Sequence, residues 1–228
     1  TNHRKHQTSR NRGTRADGEL TRTRILETAG QLFAAHGFAA TPSKAIAAQA
    51  EVDLASINYH FGSRNGLYQA ALIEAHRRVM DVANLRSLVD SPLPAEKKLL
   101  ALIQHLVGTA MGEAPGWHLA MLASEFLAPS SHLEALFAHE ILPKASLLKQ
   151  ILSEITAIPA DDPALTRCLV SVMAPCLFLL IGRRGKLGPF QELAQQPTEA
   201  IVEHLHEFAM GGLMAIRKTS VQGFTKTS

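Results

Sequence analysis

Between residues 41 and 67, the chain reads TPSKAIAAQAEVDLASINYHFGSRNGL, and four side chains in it, Leu54, Ala55, Ser56 and Asn58, share one short predicted helix. Their chemistry is recognition of base edges. The Asn58 amide suits adenine, the Ser56 hydroxyl donates or accepts, and Ala55 offers apolar contact to a thymine methyl. Such groups work only if a helix carries them into the major groove, and the flanking residues supply that helix. Asp53 can cap it by accepting from the backbone near Ser56. Before it, the turn Glu51-Val52-Asp53 joins it to a helix whose inner face is Ile46, Ala47 and Ala50. After it, Gly62-Ser63 closes it, and Ser63 caps the next helix. This is the layout of a helix-turn-helix, whose second helix reads DNA.

Catalytic chemistry finds no comparable pattern. His139-Glu140 lacks a second histidine at the spacing of zinc hydrolases. His204 and His206 are two apart and fall on different faces of a helix. No glycine-rich phosphate loop or nucleophile elbow is present. The chain is expected not to be an enzyme and to hold no metal or cofactor. Two rivals to a DNA-binding reading are a small-molecule-binding protein without DNA function and a metal-dependent enzyme. Metal analysis beside a DNA shift assay separates them.

The elements that must position the reading helix follow from periodicity. Residues 1–18 are polar and carry Arg4, Lys5, Arg10, Arg12 and Arg15, so a disordered basic arm is expected, either solvated or reaching an adjacent minor groove. Leu20, Ile25, Leu26, Ala29, Leu32 and Phe33 form a helical stripe ending near His36, with Gly37 as the stop. Thr41 is placed as cap of the second helix, with Pro42 in its first turn. The fourth helix is expected over 63–88. After the break Ser91-Pro92-Leu93-Pro94, five helical stretches follow, roughly 95–111, 117–128, 131–156, 162–184 and 197–217. Turn signals at 112–116, 129–130, 158–159 and 185–189 separate them. Pro143 and Pro175 should kink their helices. Residues 218–228 are polar and are expected to fray. No strand alternation occurs, so the fold is expected to be all-α with about nine helices. The expected division is an arm (1–18), a helix-turn-helix domain (19–65), a second helical domain (66–217) and a tail (218–228).

Composition agrees with such a protein. The 228 residues are 46% hydrophobic and 19% charged, an ordinary globular balance. The net charge of +3 is unevenly spread: residues 1–80 hold 11 Lys/Arg against 6 Asp/Glu, and the remainder holds 12 against 14. A basic first third suggests that this part meets a polyanion. Two cysteines make no disulfide framework, and the N-terminus is polar rather than signal-like. The apolar run 169–181 is shorter than the ~20 residues of a span. A cytoplasmic location off the membrane is the expectation.

Residues 20–67 resemble the DNA-binding domain of TetR-family transcriptional regulators. The match runs from Leu32-Phe33-Ala34 and Gly37-Phe38 through Thr41, Ile46-Ala47, Ala50 and Val52 to Tyr59-His60-Phe61, Ser63, Arg64 and Leu67. The run Ile57–Ser63 is most similar to CecR-type and PsrA-type members. The resemblance implies phosphate contacts from Thr41, Ser43 and Lys44 at the start of the second helix, and from Tyr59, His60 and Arg64 across the groove. It implies a ligand-binding and dimerisation domain, a homodimer on a palindromic operator, a small-molecule effector, a repressor's role, and coupling through the fourth helix. Glu51, where the family has Gly, Asn58 where many members have Tyr, and Asn65-Gly66 after Arg64 depart from its pattern.

For the second domain, Trp117, His118, Met121, Phe126, Phe137, Met173 and Phe178 are candidate ligand contacts, with His132 and His139 as further polar ones. Aromatic and methionine side chains at helical spacing are also ordinary core. Leu165, Leu169, Val172, Cys176, Leu179, Ile201, Leu205, Phe208 and Leu213 are candidates for the dimer interface. Cys168 and Cys176 lie ~12 Å apart along one helix, too far for an internal disulfide. A bond across the dimer remains open beside the reading as small buried apolar residues.

Overall fold

The structure is a computed structural model that describes residues 5–112, 116–182, 188–193 and 195–225, with side chains for 17–112, 116–180, 188, 192–193 and 195–218. The outer ends of the arm and tail, and parts of the turn signals at 112–116 and 185–189, lie outside the described residues.

Among the described residues every regular element is helical. In chain order they are α1 (Lys5–His36), α2 (Ser43–Gln49), α3 (Leu54–Phe61), α4 (Arg64–Val79), α5 (Val82–Val89), α6 (Ala95–Met111), α7 (Trp117–Leu127) and α8 (Leu133–Leu136). A π-turn (Phe137–Ile141), α9 (Leu142–Thr156), α10 (Pro163–Gly182), α11 (Gly188–Leu193) and α12 (Thr198–Thr225) complete the chain.

The expected helices are present, with corrections at their ends and joints. The first begins at Lys5, so the segment expected to be a disordered arm is helical from there. Likewise α12 runs to Thr225, through most of the expected frayed tail. Polar residues lower the drive to nucleate a helix, but extending one already anchored by packing costs little. Leu20, placed in the buried stripe, is 69% exposed because it precedes the packed part of α1. The expected fourth helix is two: Met80 adopts an extended conformation (φ −158, ψ 116), and Asp81 restarts the chain by accepting from Ala83 N at 2.7 Å and Asn84 N at 3.4 Å. The expected helix over 131–156 runs without a gap from Leu133 to Thr156 but is irregular inside. Pro143 has no N–H to give, and the chain widens into the π-turn, where the Leu142 N–H bonds to the Phe137 carbonyl. Short α11 had no sequence signal.

Two cores result. The first joins Ile25, Ala29, Phe33, Ile46, Ile57, Leu67, Leu72 and, from α7, Met121. The second lies among α5, α6, α9, α10 and α12, with Leu99, Ile103, Leu106, Leu147, Ile151 and Leu165 nearly or fully buried. Most residues assigned to a dimer interface belong to this second core. Leu165, Val172, Cys176, Leu179, Ile201 and Leu213 are buried within the chain, Leu169 and Leu205 pack against them, and Phe208 alone is at the surface, 75% exposed. Burial pushes both thiols up, Cys176 to about 11, which keeps them protonated and unreactive. The segment Pro163–Leu180 is long and apolar enough to cross a membrane by length and composition, but 33% of it is buried inside the fold.

Candidate nucleic-acid interface and the junction behind it

The candidate reading helix α3 is fixed by few contacts. Its buried residue is Ile57. Asp53 caps it as expected, accepting from both the backbone N–H and the hydroxyl of Ser56, each at 2.6 Å. The Ser56 hydroxyl and then its N–H hold the Asp53 carboxyl below its usual range. The same bond commits the Ser56 proton, so Ser56 keeps only acceptor capacity for a base edge. Leu54, Ala55, Asn58 and Tyr59 are exposed, Tyr59 at 85%. Its ring meets His60 edge-on at 5.0 Å.

The entry to α3 is strained where the sequence departs from the pattern it resembles. Glu51 takes φ +52, the left-handed region that glycine prefers, at a cost of about 1 kcal/mol. Gly66, by contrast, is demanded: a Cβ there would collide with the Phe61 carbonyl oxygen. The close approach draws the start of α4 against the end of α3.

The phosphate-contact candidates separate. Lys44 is exposed and Ser43 half-buried at the start of α2. Thr41 is 2% exposed and does not cap α2. Its hydroxyl bonds the carbonyls of Gly37 at 2.8 Å and Leu32 at 3.3 Å, which ties the loop back onto the end of α1. Arg64 lies 4.2 Å from the Phe38 ring centroid and donates to the Thr41 carbonyl at 3.3 Å. It ties α4 to the loop between α1 and α2, so part of its donor capacity is used inside the protein.

The ligand-contact candidates do not converge on one pocket. Trp117 and Met121 stand at the junction with the first core, and Met121 is 1% exposed. Half-buried His118 lies beside Trp117, and burial, then Arg78, pushes its pKa down. Phe126, Phe137 and Phe178 are exposed. His132 packs on Phe38 and Tyr68 with ring centroids at 4.7 and 5.0 Å, while His139 is exposed. Met173 lines a cavity of about 10 Å³, room for one water, with Leu99, Leu148, Ile151, Leu169 and Val172. No group of three His, Cys, Asp or Glu side chains placed to hold a metal occurs among the described residues.

Sequence reading missed the polar groups at the junction, because each needs a partner far along the chain. Buried Glu125 accepts from Tyr68 Oη at 2.5 Å and from Ser130 N at 3.1 Å. Burial and this carboxylate push the Tyr68 phenol far up. Glu140, 1% exposed in the π-turn, pairs with Arg77 at 2.8 Å and Lys144 at 2.7 Å. Lys144 Nζ also donates to His76 Nδ1 at 2.7 Å, which fixes that nitrogen as an acceptor. A charged residue at an otherwise apolar register was the signal available.

Residues 25–71 match the family described as bacterial regulatory proteins, tetR family. Residues 95–213, more than half of the chain, match the C-terminal domain of the HTH-type transcriptional dual regulator CecR. The chain belongs to the TetR family. No curated protein matches it. Among solved structures, the fatty acid degradation regulator FadR from Bacillus halodurans matches with a TM-score of 0.64 at 16% identity, over 83% of this chain and 98% of that one. FadR from Bacillus subtilis in complex with stearoyl-CoA gives 0.62 at 15%, over 83% and 98%. A TetR-like transcriptional regulator from Rhodococcus sp. RHA1 gives 0.60 at 16%, over 85% and 96%. At these identities the likeness is one of fold, and α1–α3 are the TetR helix-turn-helix domain.

Proposed function

We propose that this TetR-family protein is a cytoplasmic, ligand-responsive repressor that binds a palindromic operator as a homodimer and leaves it when a small molecule binds. The observation that carries the reading is α3: a capped helix in the family's reading position, presenting Leu54, Ala55, Asn58 and Tyr59 to solvent with Lys44 exposed nearby. Asn58 and Ala55 read bases, Ser56 serves as acceptor, and Lys44, Ser43, Tyr59 and His60 hold phosphates. Arg64 acts mainly by positioning, and Thr41 acts through its backbone.

The dimer face is reassigned. Val170, Ala174, Leu177 and Phe178 recur at helical spacing on the outer side of α10, and Phe208, Gly211 and Gly212 are exposed on α12. Two copies of such a helix pair bury an isologous apolar surface. The effector enters between α6, α9 and α10. The cavity there has an apolar lining, which suits an apolar effector, and its volume is far below the ~300 Å³ of an ordinary ligand pocket, so binding must open the bundle.

Selection of bound duplexes from a random pool, followed by a ligand screen for release, tests the reading. Enrichment of a two-fold symmetric site supports it. A pool with no enriched sequence overturns it.

A further inference from the structure

The chain's one tryptophan stands where the two cores meet. Trp117 opens α7 and its indole lies on Gly30 of α1, where a Cβ would fall 2.5 Å from the ring atoms. The indole N–H donates to Glu27 Oε2 at 2.9 Å. Arg78, in the last turn of α4, pairs with the same Glu27, bonds Glu74 at 3.0 Å through Nε, and holds its guanidinium 4.9 Å from the indole centroid. Three helices are knotted here: one of the reading head, one of the C-terminal domain, and α4 between them. The preceding residues His76 and Arg77 are gripped by Lys144 and Glu140 of the π-turn region. Just past this run, at Met80, α4 ends.

We propose that the Glu27–Arg78–Trp117 knot is a latch that sets the tilt of the reading head on the C-terminal domain, so that operator affinity depends on residues that touch no DNA. Side chains of the Glu27–Arg78 pair are 34% and 33% exposed, so water can replace the pair and the latch can open. α4 is not alone in joining the two parts, since α7 also packs on α1 directly. The inference rests on the DNA-binding reading. A palindrome requires two heads at a fixed separation of one helical turn. Non-specific phosphate binding has no such requirement.

Two variants test it in the full-length protein. Gly30→Ala puts a methyl where the indole lies while favouring helix in α1. Glu27→Gln leaves the indole seated and removes the charge. Each is titrated with the selected operator duplex and with an unrelated duplex of equal length, and Trp117 emission is recorded. The expected result for Gly30→Ala is red-shifted emission, an operator affinity changed at least tenfold, and affinity for the unrelated duplex within twofold. Glu27→Gln should change operator affinity in the same direction by a smaller factor. Red-shifted emission with operator affinity within twofold overturns the latch, as does unshifted emission. Equal loss on both duplexes in both variants marks damage to the head and also counts against it. If the wild-type protein selects no duplex, the DNA reading fails, whereas the emission of Gly30→Ala still decides whether the indole is seated on α1.

Discussion

Single side chains at the reading head divide into those that face solvent and those that hold the frame. Asn58 and Lys44 are exposed, so neither substitution should disturb folding. Asn58→Ala is expected to relax preference at one base pair per half-site, checked by repeating the duplex selection. Lys44→Ala is expected to weaken binding to every duplex and to flatten the salt slope by ~0.9 if one phosphate contact is lost. The frame residues behave otherwise. Gly66→Ala should destabilise by about 1–3 kcal/mol, because the new methyl meets the Phe61 carbonyl. Glu51→Gly should stabilise by up to about 1 kcal/mol by removing left-handed strain. Urea midpoints of the two variants should therefore move in opposite directions. In the sequence Glu51 and Gly66 stand alike as departures from the family pattern, and only the structure separates a strained residue from a required one. The collision that demands glycine at Gly66 is with a backbone atom, and residue type does not reveal it.

At the scale of elements, legibility follows the range of the cause. The caps Asp53 and Ser63 and the stop at Gly37 were readable because each acts within a few residues, and each is in place: Asp53 on Ser56 N, Ser63 on Gly66 N at 3.0 Å, Gly37 at φ +76. The break at Met80 and the π-turn were not, because their surroundings are assembled from α4, α9 and the turn itself. The cap on α3 carries a pH dependence. A carboxyl whose folded pKa is lowered stabilises fully above its unfolded value and loses that contribution as pH falls through the folded one, so α3 should loosen only in acid. His76 has a second dependence. Burial, then Lys144, pushes its pKa down from 6.5 to about 4. Between these values the unfolded chain binds a proton that the folded chain refuses, so stability should fall as pH drops from 6.5 to 4. The loss should be on the order of 3 kcal/mol. Urea midpoints across that interval check this, and His76→Asn should flatten the curve, since its amide oxygen can still accept from Lys144.

For the whole molecule, the all-α class and the two-part organisation were legible, while the orientation of α10 and α12 was not. Both helices are apolar on more than one side, so periodicity finds the helix without telling which side meets the chain's own core. Leu165 faces inward and Phe208 outward. Phe208→Glu is accordingly expected to weaken the dimer at least tenfold with helical content retained, whereas Leu165→Glu should unfold the protomer. Sedimentation and circular dichroism together distinguish the two. A Phe208→Glu protein as dimeric as wild type would displace the interface from this face.

The buried charges around the π-turn also bear on how the chain avoids wrong structures. Apolar helices tolerate sliding past one another by a turn, since one leucine replaces another. Lys144 and Glu140 do not, being 3% and 1% exposed. If α4 slipped by one turn, His76 and Arg77 would leave, and a buried ammonium or carboxylate would lose a partner, an error costing about 3–5 kcal/mol. The group therefore serves as a key for alignment: it adds little to the depth of the native well but raises its nearest competitor. Replacing Arg77, His76, Glu140 and Lys144 together by apolar residues should leave the thermal midpoint near that of the wild-type protein and broaden the transition. A transition as sharp as wild type would remove this role.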